Sequence, residues 1–296
     1  MYSTRTNKRT IWPIIKEIII LIITLFLIRT CVFQSFYVPT GSMIPHIMVG
    51  DFVIGTKYNY GYSKYSIPFF PNLFSGRILN FYSPSRGDIV VFYIPEQHEE
   101  RLIKRIIGLP GDTIQMINNV LHINDKPVES KYIGEDVVSS SELIKDEEHK
   151  AAYKKYLETL PNGKQYVARY AINNSPELYA NTVKFTIPAD EYFVMGDNRS
   201  RSLDSRSGYT VKSEQIIAKA AFILFSNEYN FYYNPFEFKY LPEIFKSFRT
   251  DRFFKSTNYN KDLKLLEESA ASNISPTVVE KNTSITNGAI NSVERN

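Results

Sequence analysis

Leu102-Ile103-Lys104-Arg105-Ile106-Ile107-Gly108-Leu109-Pro110-Gly111-Asp112 begins as a β-strand and ends in a turn. Its opening residues are rich in Leu and Ile, and Gly108, Pro110 and Gly111 then punctuate it. Two more apolar runs follow, Asp112 to Ile117 and Val120 to Asn124, with Asn118-Asn119 between them. Asparagine tolerates positive φ, so this pair predicts a two-residue hairpin turn. Upstream, Asp51 to Lys57 and Asp88 to Tyr93 share the same Ile, Val, Phe and Thr bias. Downstream, Val183 to Ile187, Glu191 to Met195 and Ile216 to Phe225 repeat it. No βαβ alternation connects the runs, so the expected fold is mainly β, built on antiparallel sheet. Gly50-Asp51, Gly87-Asp88, Gly111-Asp112 and Gly196-Asp197 read as turn chemistry at strand starts.

Within the first run, strand period sets Leu102, Lys104 and Ile106 on one face and Arg101, Ile103 and Arg105 on the other. Lys104 therefore shares an apolar face, away from the two arginines. Burial there would disfavour the ammonium and lower its pKa, leaving an amine fit to act as a general base. Taken alone, the strand equally allows an edge lysine that reaches solvent.

Toward the N-terminus, Arg5, Lys8 and Arg9 precede an apolar stretch, Ile11 to Phe33, broken by Lys16, Glu17, Thr24 and Arg29. About 20 residues cross a bilayer core, so this stretch just suffices, with Lys16 and Glu17 reaching the headgroups near its leading end. The preceding cations predict a cytoplasmic N-terminus. A cleaved signal peptide is the alternative, but no Ala-x-Ala-like site follows. A buried core helix is another, but the stretch is apolar all round rather than striped.

Lys126 to Thr182 is more polar, and Ser141 to Leu160 carries a charged pattern at helical spacing. It reads as an inserted subdomain with a solvated face. Tyr58 to Tyr82 is aromatic and proline-broken. Tyr229 to Lys255 mixes aromatics with Lys and Arg, which suits a bilayer interface or an aromatic core. From Thr257 onward the polar composition predicts disorder.

The 296 residues carry a net charge of +4 with pI near 8.8. That charge is too small and too dispersed to argue for nucleic acid. The four histidines, His46, His98, His122 and His149, do not cluster, and Cys31 stands alone. A structural metal site or a disulfide framework is not expected, and no cofactor is implied.

Two further segments carry chemistry. Pro39-Thr40-Gly41-Ser42-Met43-Ile44-Pro45 follows the apolar stretch and offers a stiff turn that can present a serine. Gly196-Asp197-Asn198-Arg199-Ser200-Arg201-Ser202-Leu203-Asp204-Ser205-Arg206 is the other. Each alone is an ordinary loop. Together with the Lys104 segment, in this order and behind an apolar span, they resemble the bacterial type I signal peptidases, membrane-anchored Ser–Lys endopeptidases. The resemblance covers the chain from the apolar span to about Lys255. It implies that Ser42 is the nucleophile and Lys104 the general base. Ser202 would orient the lysine, and the Ser42 N–H and the Thr40 hydroxyl would form the oxyanion hole. Many relatives carry Ser at the Thr40 position. Phe36, Val38 and Ile103 would line shallow pockets for small substrate residues, and Asp197, Asp204 and Arg206 would give structural support. Secretory preproteins are the implied partners, with the lipid bilayer. The implied setting is the cytoplasmic membrane, with the catalytic domain on its outer, periplasmic side. Oligomeric state is not legible.

The expected organisation is a cytoplasmic N-terminus (1–10), a transmembrane anchor (11–33), a first part of the catalytic β core (34–125), an inserted subdomain (126–182), a second part of the core (183–255) and a disordered tail (256–296). Two rivals have sequence discriminators. A self-cleaving repressor-type Ser–Lys peptidase would begin with a DNA-binding module rather than an apolar span. A non-catalytic, membrane-tethered peptide binder would have no need of Ser42, Lys104 and Ser202 together.

Overall fold

The computed structural model describes residues 11–67, 75–80, 82–95, 101–137, 152–172, 179–228, 241–258 and 263–264. His98, His149 and most of the polar tail lie outside them. Helix α1 (Trp12–Cys31) leads the chain. Strands β1 (Phe33–Tyr37), β2 (Asp51–Thr56), β3 (Tyr62–Ser63), β4 (Arg77–Ile78), β5 (Ile89–Phe92) and β6 (Leu102–Gly108) follow. Then come β7 (Thr113–Ile117), β8 (Val120–Ile123), β9 (Lys126–Pro127), β10 (Glu129–Val137), β11 (Ala152–Thr159), β12 (Gln165–Ala171) and β13 (Phe185–Thr186). The last strands are β14 (Glu191–Met195), β15 (Val211–Lys212), β16 (Ile216–Ser226) and β17 (Lys255–Ser256), with a short helix α2 (Leu241–Lys246) before β17.

The main sheet runs β1-β2-β16-β5-β6-β14-β15, with β17 added on β16. Its strand pairs are antiparallel. A mainly β, antiparallel fold is therefore what the chain adopts. β6 lies inside this sheet, with Val90 opposite Lys104 and Met195 opposite Arg105. An edge lysine is thereby excluded. The run is buried on both faces from Lys104 onward, because apolar clusters pack against each side: Ile106 with Val90, Phe92 and Val194 in one, Ile107 with Ile114 and Phe193 in another. The hairpin β7–β8 turns at Asn118 and Asn119, both at positive φ as their residue type favours.

The region after β9 departs from the helical expectation. Residues 138–151 lie outside the described set, but Ala152–Thr159 is the central strand of a three-stranded sheet, β10-β11-β12. Tyr156 meets Tyr132 on one side and Tyr170 on the other, each ring pair 5.7 Å apart. Such cross-strand aromatic pairs outweigh the weak helical preference of the intervening charges. Leu160, Tyr166, Ala168 and Val128 also enter the core shared with β6, β7 and β14.

Helix α1 is 20 residues long. Ile14, Ile18, Leu21, Ile22, Leu25 and their neighbours are exposed on every side of it. It ends at Cys31, so Phe33 belongs to β1 rather than to the helix. Lys57, buried, donates to the Thr30 carbonyl at 3.2 Å, which fixes the helix end to β2. Lys16, Glu17 and Arg29 interrupt the apolar surface, and among the described residues no helix is long and apolar enough to cross a membrane.

Candidate active site

The segment after β1 turns back on itself. The Val38 N–H donates to the Asp51 carbonyl and the Gly50 N–H to the Val38 carbonyl, at 3.0 and 2.9 Å. Met43, Ile44 and Ile47 fill the space beneath this turn. Ser42 is thereby held, largely buried, over the sheet.

Lys104 rises from β6 to meet it. Its Nζ donates to Ser42 Oγ at 2.9 Å and to the Ile103 carbonyl at 3.1 Å. Burial lowers the ammonium to about 8, with Asp204 and Asp197 opposing the fall. With the amine neutral, the same contact can run from the serine hydroxyl to the nitrogen. A serine and a lysine 62 residues apart thus meet in the geometry that general-base activation requires.

The third segment surrounds this pair. The Asn198 N–H donates to the Ser42 carbonyl and its Nδ2 to the Gly41 carbonyl, both at 3.0 Å. Gly196 is needed for close approach: a Cβ there would sit 2.3 Å from Ser202 Oγ and 2.6 Å from the Ser42 carbonyl oxygen. Asp204 accepts the Gly196 N–H at 3.0 Å and holds Arg206 through two 2.8 Å contacts. Asp197 takes Arg105 at 2.8 Å through both oxygens, and His46 Nδ1 lies 2.9 Å from it. Burial would raise the Asp197 carboxyl, but Arg105 and His46 outweigh it and hold the group below the ordinary carboxylate range. Burial lowers the His46 pKa, with Asp197 opposing the fall. Below His46, Arg252 donates to its carbonyl at 2.9 Å and pairs with Asp51. These ion pairs are buried structural members rather than surface contacts.

Phe36, Val38 and Ile103 fall together, since Ile103 packs against both the Val38 cluster and the Phe36 cluster. Ser202 is buried against Asp204 but makes no hydrogen bond to Lys104. Thr40 is exposed on the turn before Ser42.

A family model described as signal peptidase, peptidase S26, matches residues 11–225. The chain belongs to the signal peptidase family S26. It is similar to the signal peptidase I of Rickettsia bellii (strain OSU 85-389), at 43% identity over 75% of this chain and 76% of the relative. It is also similar to that of Rickettsia typhi, at 41% identity over 88% of this chain and 98% of the relative. A crystal structure of a signal peptidase I from Enterococcus faecalis V583 matches at 28% identity, covering 47% of this chain and 97% of that one. Its TM-score of 0.26 leaves the fold to be read from the strands themselves. As a member of the signal peptidase family the chain is a serine endopeptidase.

His46 and Arg252 had no signal in the sequence of this family member, and Asn198 and Arg105 lay inside the quoted segments without an assigned role; all four act by long-range contacts that no local pattern announces. Arg105 was expected on a face apart from Lys104, and it does point away. It is buried nevertheless, because the other face is covered too.

Proposed function

We propose that this chain is a signal peptidase I that cuts signal peptides from exported preproteins, with Ser42 as nucleophile and Lys104 as general base. The observation that supports it is the 2.9 Å contact between a largely buried serine and a lysine whose burial lowers its pKa to about 8. Ser42 Oγ attacks the scissile carbonyl while its proton passes to Lys104 Nζ. Lys104 then returns that proton to the departing amine, leaving an acyl-serine. Water, deprotonated by the same amine, attacks the ester and restores Ser42. The Ser42 N–H and the Thr40 hydroxyl stabilise the oxyanion, and each such donor is worth about 100- to 1,000-fold in rate. Ser202, buried beside Asp204 next to the pair, steadies the lysine, and the Asp197, Asp204 and Arg206 pairs hold the surrounding loop.

An extended peptide lies along the β1 side of the site, with small residues facing Phe36, Val38 and Ile103. Overpacking rejects larger side chains there. Helix α1 serves as the anchor: its 20 residues rise about 30 Å, the thickness of a bilayer core, and the three charges that keep it from being a wholly apolar span lie toward its ends. Lys16 and Glu17 lie near one end of it and Arg29 near the other, within reach of headgroups. The cations Arg5, Lys8 and Arg9 ahead of the helix favour an N-terminus inside and Ser42 outside, close to where a preprotein's own apolar segment leaves the membrane.

The full chain in liposomes, given a preprotein, should release one mature product whose new N-terminus follows an Ala-x-Ala-like site, and Ser42→Ala should release none. Cleavage scattered along the preprotein, or equal cleavage by Ser42→Ala, would contradict the reading.

A further inference from the structure

The inserted sheet sends a carboxylate into the loop that grips Ser42. Arg199, in that loop, is 1% exposed and has five N–H donors. One, from Nε, goes to the Gly196 carbonyl at 3.2 Å. The others go to side chains of the inserted sheet. Nη1 reaches Glu158 Oε1 at 3.1 Å and the Tyr170 hydroxyl at 2.9 Å, while Nη2 reaches Glu158 Oε2 and the Tyr166 hydroxyl, each at 2.7 Å. The Tyr166 hydroxyl in turn donates to Glu158 at 2.5 Å. Two backbone N–H groups of the inserted sheet donate alongside: that of Arg169 to the Asp197 carbonyl and that of Ala171 to Ser200 Oγ, both at 2.9 Å. Between these two straps sits Asn198, which holds the Gly41 and Ser42 carbonyls.

We propose that Glu158 is a positioning residue for the reaction, setting Ser42 against Lys104 through Arg199 and Asn198. The inference rests on the Ser–Lys reading above. A bidentate carboxylate–guanidinium pair fixes direction as well as distance. An apolar filling of the same space would hold the sheet against the core at no cost in stability. What it would not do is fix the 198 backbone to within the fraction of an ångström that proton transfer from Ser42 needs. A misplacement of about 1 Å costs about 100-fold.

The test uses the full-length chain in liposomes and a peptide substrate with Ala one and three residues before the cut. kcat, KM and Tm are measured for the parent, Ser42→Ala, Glu158→Gln, the double variant Glu158→Gln/Arg199→Gln, Tyr170→Phe, and Asp136→Asn. Asp136 lies on the same sheet, 3.8 Å from Arg169. Glu158→Gln should lower kcat about 10- to 100-fold with KM little changed, and should lower Tm because Arg199 is left unpaired. In the double variant Tm should recover, since no unpaired charge remains, while kcat stays low. Asp136→Asn should leave kcat unchanged. Parental kcat in Glu158→Gln, or recovery of kcat together with Tm in the double variant, would reduce Glu158 to a structural role and overturn the proposal. Should Glu158→Gln fail to fold, Tyr170→Phe decides: a several-fold fall in kcat at unchanged Tm supports the proposal, and parental kcat overturns it. Ser42→Ala separates the two levels, because retained cleavage there defeats the Ser–Lys reading itself, whatever Glu158→Gln does.

Discussion

Burial lowers Lys104 to about 8, against 10.5 for a free lysine, and the same burial works against the folded state. Between those two values the unfolded chain holds the proton that the folded chain has lost, so stability rises with pH there. Below pH 8 the penalty is at full strength, up to about 3 kcal/mol. Lys104→Met should therefore abolish cleavage yet raise Tm at pH 7, and the gain should fade as pH approaches 10.5. Thermal melts across pH check this; a Tm that falls at every pH would mean that the ammonium is stabilised where it stands. Asp197 has the opposite sign. Its carboxyl lies below the ordinary range, so its contribution is present at neutral pH and is lost as pH falls through the folded value. Asp197→Asn leaves Arg105 buried without a charge partner and should cost about 3–5 kcal/mol, read as a lower denaturant midpoint at unchanged m-value.

At the scale of elements, strands are legible where Ile, Val, Phe and Tyr dominate a run or where a turn has its own chemistry. Glu191–Met195 and the hairpin at Asn118-Asn119 follow directly from residue type. Ala152–Thr159 does not, because its strand character comes from Tyr132 and Tyr170, neighbours that local spacing cannot display. The site divides the same way. Ser42, Lys104 and the loop 196–206 are legible through the three segments that together carry the family resemblance, whereas His46 matters only once the turn after β1 meets the loop after β14. Gly196 shows the difference: it read as a turn residue, yet the other three Gly-Asp glycines have positive φ and this one does not. Its role is close approach to Ser202 and Ser42. Gly196→Ala should therefore lower kcat by about 100-fold or more, with a smaller effect on binding of an uncleavable peptide. Equal kcat in that variant would show that the loop has room to retreat.

For the whole molecule, the short reach from α1 to the nucleophile constrains where the enzyme can work. Ser42 comes 11 residues after the helix end at Cys31, at most about 40 Å of extended chain, the turn after β1 shortens that reach, and Lys57 pins the helix end to β2. The site therefore stays near whatever surface α1 enters. In cells with permeabilised outer layers, added protease should digest the domain after Phe33 and spare the first residues. Full protection of the Ser42 domain would reverse the orientation and remove the export role.

The pairing of Ser42 with Lys104 is tested most directly by the pH–rate profile of the parent beside Lys104→Arg. kcat/KM of the parent should rise about tenfold per pH unit below about 8 and level off above it, as the amine sheds its proton. Arginine stays charged throughout, so Lys104→Arg should show no cleavage at any pH while folding normally. A folded Lys104→Arg enzyme cutting a preprotein at near the parental rate would contradict the account.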